Sequence, residues 1–78
     1  MELNEFIENF ANQLEDTELS ILTPNTKFRE LDEWSSLTAL SIQAMIDEEY
    51  DVLLKPNEMR KANTLQELYE LVKQVARE

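Results

Sequence analysis

The sequence predicts an all-α fold: a four-helix bundle of three principal helices and one short helix, with a long first loop. Three observations carry that expectation. Apolar residues recur at helical spacing in three separate segments. Turn and capping residues fall between those segments. The chain has no glycine and only two prolines, so little interrupts the periodic stretches.

The first segment runs from Leu3 to Leu14, with Leu3, Phe6, Ile7, Phe10, Ala11 and Leu14 on one face. Glu2 and Glu5 lie near its start, where the helix dipole favours negative charge. From Glu15 to Trp34 the pattern breaks. Thr23, Pro24, Asn25 and Thr26 are turn residues, while Ile21, Leu22, Phe28, Leu31 and Trp34 are apolar. The segment reads as a long loop pinned to the helices by those side chains. Structureless loops beyond about 12–15 residues are uncommon in compact domains and are often functional.

A second helix is expected from Ser36 to Tyr50, with Ser35 as its N-cap. Pro56 opens a short helix over about Asn57 to Ala62. Thr64 caps the last helix, and Glu67 completes a capping box. Leu65, Leu68, Tyr69, Val72, Val75 and Ala76 form its apolar stripe, and Lys73 and Arg77 suit its C-terminal end.

Composition narrows the functions open to such a fold. Residues 1–78 make a single small domain, and a chain of this size hides only about 60% of its unfolded surface. It has no cysteine and no histidine, so disulfides, thiolate metal sites and imidazole-based catalysis are all excluded. Seventeen acidic against seven basic residues give a net charge of −10. Such a chain repels nucleic acid and anionic membranes and attracts basic protein surfaces. No transmembrane span or signal peptide is apparent, so a cytoplasmic protein is expected.

The second helix has two faces. Ala39, Ile42, Ile46, Tyr50 and Leu53 fall on a core side. Leu37, Leu40 and Ala44 fall nearly opposite, and Asp47, Glu48 and Asp51 continue that outer stripe. The apolar end could pack under the long loop or meet a partner. The acids oppose the dipole at the helix C-terminus, and locally unfavourable choices often mark functional sites. A solvated acidic face is the plain alternative. Ser36 is similarly double: serine at a helix start ordinarily caps, but Ser35 can take that role. The Ser36 hydroxyl would then be free to accept a phosphorylated group among unpaired backbone N–H groups.

Nearly the whole chain resembles the acyl carrier protein family, most closely from Phe28 to Leu54, FRELDEWSSLTALSIQAMIDEEYDVLL. The family's Asp-Ser-Leu motif corresponds to Ser35-Ser36-Leu37, joined by the acidic run Asp47-Glu48-Glu49, Tyr50 and the short third helix. The resemblance implies an acyl-carrier-protein-like four-helix bundle with 4′-phosphopantetheine on Ser36. A magnesium-dependent phosphopantetheinyl transferase would deliver the arm from coenzyme A, and its thiol would hold acyl groups as thioesters. The carrier itself would not be an enzyme. Leu37, Leu40, Ala44, Asp47 and Glu48 would dock basic patches on synthase and transferase enzymes. Fatty acid biosynthesis or a related pathway is implied, with a monomer as the working form.

Three positions depart from the family pattern. Ser35 replaces the usual Asp, which keeps the cap, removes a charge and adds a second hydroxyl as a minor alternative attachment site. Asp51 stands where glycine is frequent, and Asp tolerates the left-handed conformation that stops a helix. Gln43 borders the core face and would narrow or polarise an acyl pocket. The competing readings are a carrier for polyketide, peptide or aminoacyl transfer and a non-covalent acidic interaction module. The run from Asp47 to Asp51 lacks the ligand spacing and glycine of an EF-hand, and the exposed acids do not form a hydrolase pair.

Overall fold

The computed structural model describes residues 2–77, and four α-helices follow one another in it. They are α1 Leu3–Ala11, α2 Ser36–Tyr50, α3 Pro56–Met59 and α4 Leu65–Arg77. The fold is the expected helical bundle. Among the described residues the only β pairing is an isolated antiparallel bridge between Lys27 and Thr64. Helix α1 packs against α2 and α4, and α2 packs against α4. No described helix is long and apolar enough to cross a membrane.

The core joins Phe6, Ile7 and Phe10 of α1 to Ile42, Met45 and Ile46 of α2 and to Leu65, Leu68 and Val72 of α4. Capping sets the helix starts. Thr64 Oγ1 accepts from Glu67 N–H at 3.1 Å, and Glu67 Oε1 accepts from the N–H groups of Asn63 and Thr64 at 2.9 and 3.0 Å. The box expected there is therefore present. At the other end of α2, Asp51 takes the left-handed conformation (φ 55°, ψ 42°), and its N–H bonds the carbonyl of Asp47. Helix α2 stops there without glycine.

Several boundaries differ from the periodic reading. Helix α1 ends at Ala11, because Gln13 and Leu14 N–H groups turn back to Phe10 and Ala11 carbonyls in a tighter turn. Leu14 is still buried beyond the helix. Leu53 does not join the core; it is 65% exposed. Once Asp51 ends the helix, the chain has no helical periodicity from 51 to 55, and Val52 and Leu54 turn inward on either side of Leu53. Helix α3 is shorter than expected and has Pro56 at its first position, where its missing N–H costs nothing. Ala76 is exposed rather than part of the α4 stripe, and the side chain of Arg77 lies outside the described residues. Lys73 sits 5.3 Å from the Tyr69 ring centroid.

The long first loop is ordered by two single 3₁₀ turns, Leu19–Ile21 and Phe28–Glu30. Leu22 and Phe28 are buried as expected, Leu31 and Trp34 partly so, and Ile21 is exposed. Phe28 meets Phe10 and Trp34 edge-on at 5.9 and 5.2 Å, while Trp34 stacks on Phe10 at 6.3 Å. Backbone bonds then fix the loop to α4: Leu65 N–H donates to Thr26 and Gln66 N–H to Pro24.

Glu33 closes the other half of the loop. Its carboxylate accepts from Glu15 N–H at 2.9 Å, from Asp16 N–H and from Thr17 Oγ1. Partial desolvation pushes this carboxyl up, but the Asp16, Glu15 and Thr17 hydrogen bonds together hold it below the ordinary glutamate value. A depressed folded-state pKa gives stability that is fully present above the unfolded value of about 4.3 and lost as pH falls through the folded one. Glu33→Gln should therefore lower Tm at pH 7, with the gap to wild type closing in thermal melts below about pH 4. An unchanged gap at low pH would remove the carboxylate from the account.

Candidate functional site

The first turn of α2 brings Ser35, Ser36 and Leu37 together. Ser35 has an extended backbone (φ −154°, ψ 177°), and its Oγ accepts from Thr38 N–H at 3.2 Å. It is the N-cap that the sequence suggests. Thr38 Oγ1 donates to the Glu33 carbonyl at 2.7 Å, which uses its single proton. The 3.2 Å contact between the Ser35 and Thr38 hydroxyls must then be donated by Ser35. Both the proton and a lone pair of Ser35 are engaged in holding the helix start.

Ser36 differs. It is exposed, and its hydroxyl has no hydrogen-bond partner among the described residues. It lies in the first turn of a fifteen-residue helix whose N-terminal end carries no acidic side chain. The other three helices each hold a glutamate in their first turn: Glu5, Glu58 and Glu67. The positive end of the α2 dipole is thus unopposed beside a free hydroxyl. A phosphodiester at this exposed oxygen would meet a favourable potential, so the local residues suit such a group.

Beside Ser36 opens a cavity of about 480 Å³ between the Phe28–Glu30 turn, the first half of α2 and α3. That is within the usual range for small-molecule sites, about 300–1,000 Å³. Its lining mixes apolar residues, among them Phe28, Trp34, Leu40 and Met59, with the polar Arg29, Gln43 and Arg60. Gln43, expected to polarise such a pocket, does line it.

The outer stripe of α2 is uncovered. Leu37 is 76% and Leu40 59% exposed, and Ala44, Asp47 and Glu48 are exposed in line with them. The long loop does not pack over its apolar end. Helix α2 consequently shows weaker amphipathicity than α1 or α4, because both its faces carry apolar residues. No basic residue in its last turn offsets the acids.

Some of the site was not foreseen. The sequence reading assigned no part to Arg29, Arg60 or Glu33. Arg29 lies over the Phe28 ring at 5.7 Å, donates to the Arg60 carbonyl at 3.1 Å and bonds Asn63 Oδ1. It thereby ties the loop to the end of α3 and builds one side of the cavity. The clustering of cations at residues 27–29 and 55–61, in a chain otherwise so acidic, is the signal that would have pointed there.

A family model described as phosphopantetheine attachment site matches residues 4–72. No curated protein and no solved structure matches the chain.

Proposed function

We propose, for a chain that belongs to the phosphopantetheine-attachment family of carrier proteins, that Ser36 bears the arm and that the protein carries acyl intermediates for fatty acid biosynthesis or a related pathway. Members of that family hold a covalent 4′-phosphopantetheine group and are carriers rather than catalysts. The observation that carries the assignment is the pair of neighbouring hydroxyls: Ser35 is spent on capping, and Ser36 is free and exposed.

Ser36 Oγ would form the new bond to the pantetheine-side phosphorus of coenzyme A. The phosphoanhydride bond breaks, the adenosine-bearing phosphate leaves with the electron pair, and the hydroxyl proton passes to a base on the transferase. The unopposed N-terminal end of α2 then stabilises the phosphodiester charge. When bound, the arm supplies the thiol for thioester formation that a chain without cysteine lacks. Leu37, Leu40 and Ala44 offer partner enzymes an apolar contact, and Asp47 and Glu48 attract their basic residues. A cytoplasmic, monomeric carrier is part of the same proposal. The polar residues Gln43 and Arg60 in the cavity lining favour, as a second reading, a specialised carrier for polyketide, peptide or aminoacyl transfer.

Thiol titration tests the proposal directly. The purified apo chain should show no thiol, and incubation with coenzyme A, magnesium and a broad-specificity transferase should bring the titre to one per chain. A titre that stays at none, with the protein folded and unmodified beforehand, would favour the non-covalent interaction module. Reversing both acids (Asp47→Lys with Glu48→Lys) should raise the transferase KM about tenfold at low salt, with the effect shrinking as salt rises. Tm should hold or rise slightly, because both original charges oppose the dipole. An unchanged KM across that salt range would move the docking face elsewhere.

A further inference from the structure

The hydroxyl of Thr38 makes a bond that capping does not require. Ser35 caps α2 by accepting from Thr38 N–H. In a capping box the side chain three residues after the cap returns to the cap's own N–H. Thr38 Oγ1 reaches further back and donates to the Glu33 carbonyl at 2.7 Å, two residues before the cap. That is the ordinary length of an O–H···O bond, and the pair is partly buried. The Glu33 carbonyl accepts no other bond among the described residues. Glu33 is itself held, because its carboxylate accepts from Glu15 N–H, Asp16 N–H and Thr17 Oγ1 just beyond α1. Trp34, the next residue, stacks on Phe10 of α1. The Thr38 bond thus ties the first turn of α2, through Glu33, to the end of α1.

Ser36 lies inside the span that this bond closes, between Glu33 and Thr38. Its own hydroxyl bonds nothing described, so the backbone of the first turn sets where it points. The tie steadies that backbone and leaves the hydroxyl free. It is also independent of the cap: Ser35→Ala removes Ser35 Oγ and leaves the Thr38–Glu33 pair. Thr38 is half-buried and lies about 100° round the helix from Leu37, off the exposed stripe. We infer that Thr38 is a positioning residue for the loading of Ser36, acting through the Glu33 carbonyl rather than by touching the arm. The inference rests on the carrier reading above and adds how the attachment hydroxyl is held for attack. A displacement of about 1 Å at a reacting atom can cost roughly a hundredfold in rate.

Thr38→Val keeps the branched shape and removes the donor. Loading is followed with coenzyme A, magnesium and a broad-specificity transferase, at a temperature where every variant is folded. Thr38→Val should lower the loading kcat about tenfold and leave KM within about twofold, because the exposed stripe is intact. On the unmodified chain, backbone order parameters at Ser35 and Ser36 should fall from a rigid value of about 0.85 towards about 0.6. Thr38→Ser restores the donor and should recover both readouts. Thr64→Ala, which removes the cap of α4, controls for lost stability and should change neither. A wild-type kcat in Thr38→Val, an effect confined to KM, or an equal kcat loss in Thr64→Ala would overturn the inference. Failure of the wild-type chain to load would count against the carrier reading. The order parameters would then still decide the role of Thr38, with unchanged values in Thr38→Val overturning it.

Discussion

Ser36→Ala should abolish loading from coenzyme A while leaving the helical fold intact. The side chain is exposed and bonds nothing described, so its removal leaves no cavity and no orphaned donor. The cap that starts α2 belongs to Ser35, and the bond from Thr38 N–H to Ser35 Oγ survives. Alanine is also the best helix former, so Tm should stay within a degree or two of wild type. Ser35→Ala makes the informative contrast. It should keep a loadable hydroxyl at Ser36 but remove the cap, at a cost of about 1 kcal/mol or roughly 4–8 °C in Tm. Loading rates and thermal melts of the two variants separate the roles: one loses chemistry with stability intact, the other loses stability with chemistry intact. The reverse pattern would exchange the assignments.

Phe28→Ala should be the most damaging single substitution in the loop. Phe28 is fully buried and sits between Phe10 of α1 and Trp34 ahead of α2. Truncating a buried phenylalanine typically costs about 3–5 kcal/mol. A domain of this length has only about 4–12 kcal/mol to lose. Tm should therefore fall by at least roughly 12 °C, and Trp34 emission should shift as its edge-on neighbour disappears. Phe28→Leu, which keeps most of the volume, should cost much less. A melt within about 3 °C of wild type for Phe28→Ala would mean that the loop lies on the core without helping to hold it.

Local signals explain what could be read from the sequence. The apolar stripes of α1 and α4, the Ser35 cap, the Thr64–Glu67 box and the stop at Asp51 each depend on residues within a turn or two of one another. Their spacing alone encodes them. The exposed stripe Leu37, Leu40, Ala44, Asp47 and Glu48 was legible for the same reason, since one helix wheel displays it. What was hidden depends on chain segments meeting from a distance. Glu33 bonds backbone groups 17 and 18 residues earlier, and Arg29 reaches a carbonyl 31 residues later. No periodicity carries such contacts. Leu53 misled because helical spacing was extended past a residue that ends the helix. Met45 was missed because the buried arc of α2 is wider than the stripe read from Ile42 and Ile46. The cavity needs the Phe28–Glu30 turn, α2 and α3 together, so Gln43 and the clustered cations at 27–29 and 55–61 were the sequence's signals for it.

The central claim is that Ser36 is the attachment residue, and intact-mass spectrometry with fragmentation tests it most directly. The chain is measured before and after incubation with coenzyme A, magnesium and a broad-specificity phosphopantetheinyl transferase. The account predicts a gain of one phosphopantetheine, with fragment ions placing it on Ser36. A gain placed on Ser35, or no gain by a folded chain that was unmodified at the start, would contradict it.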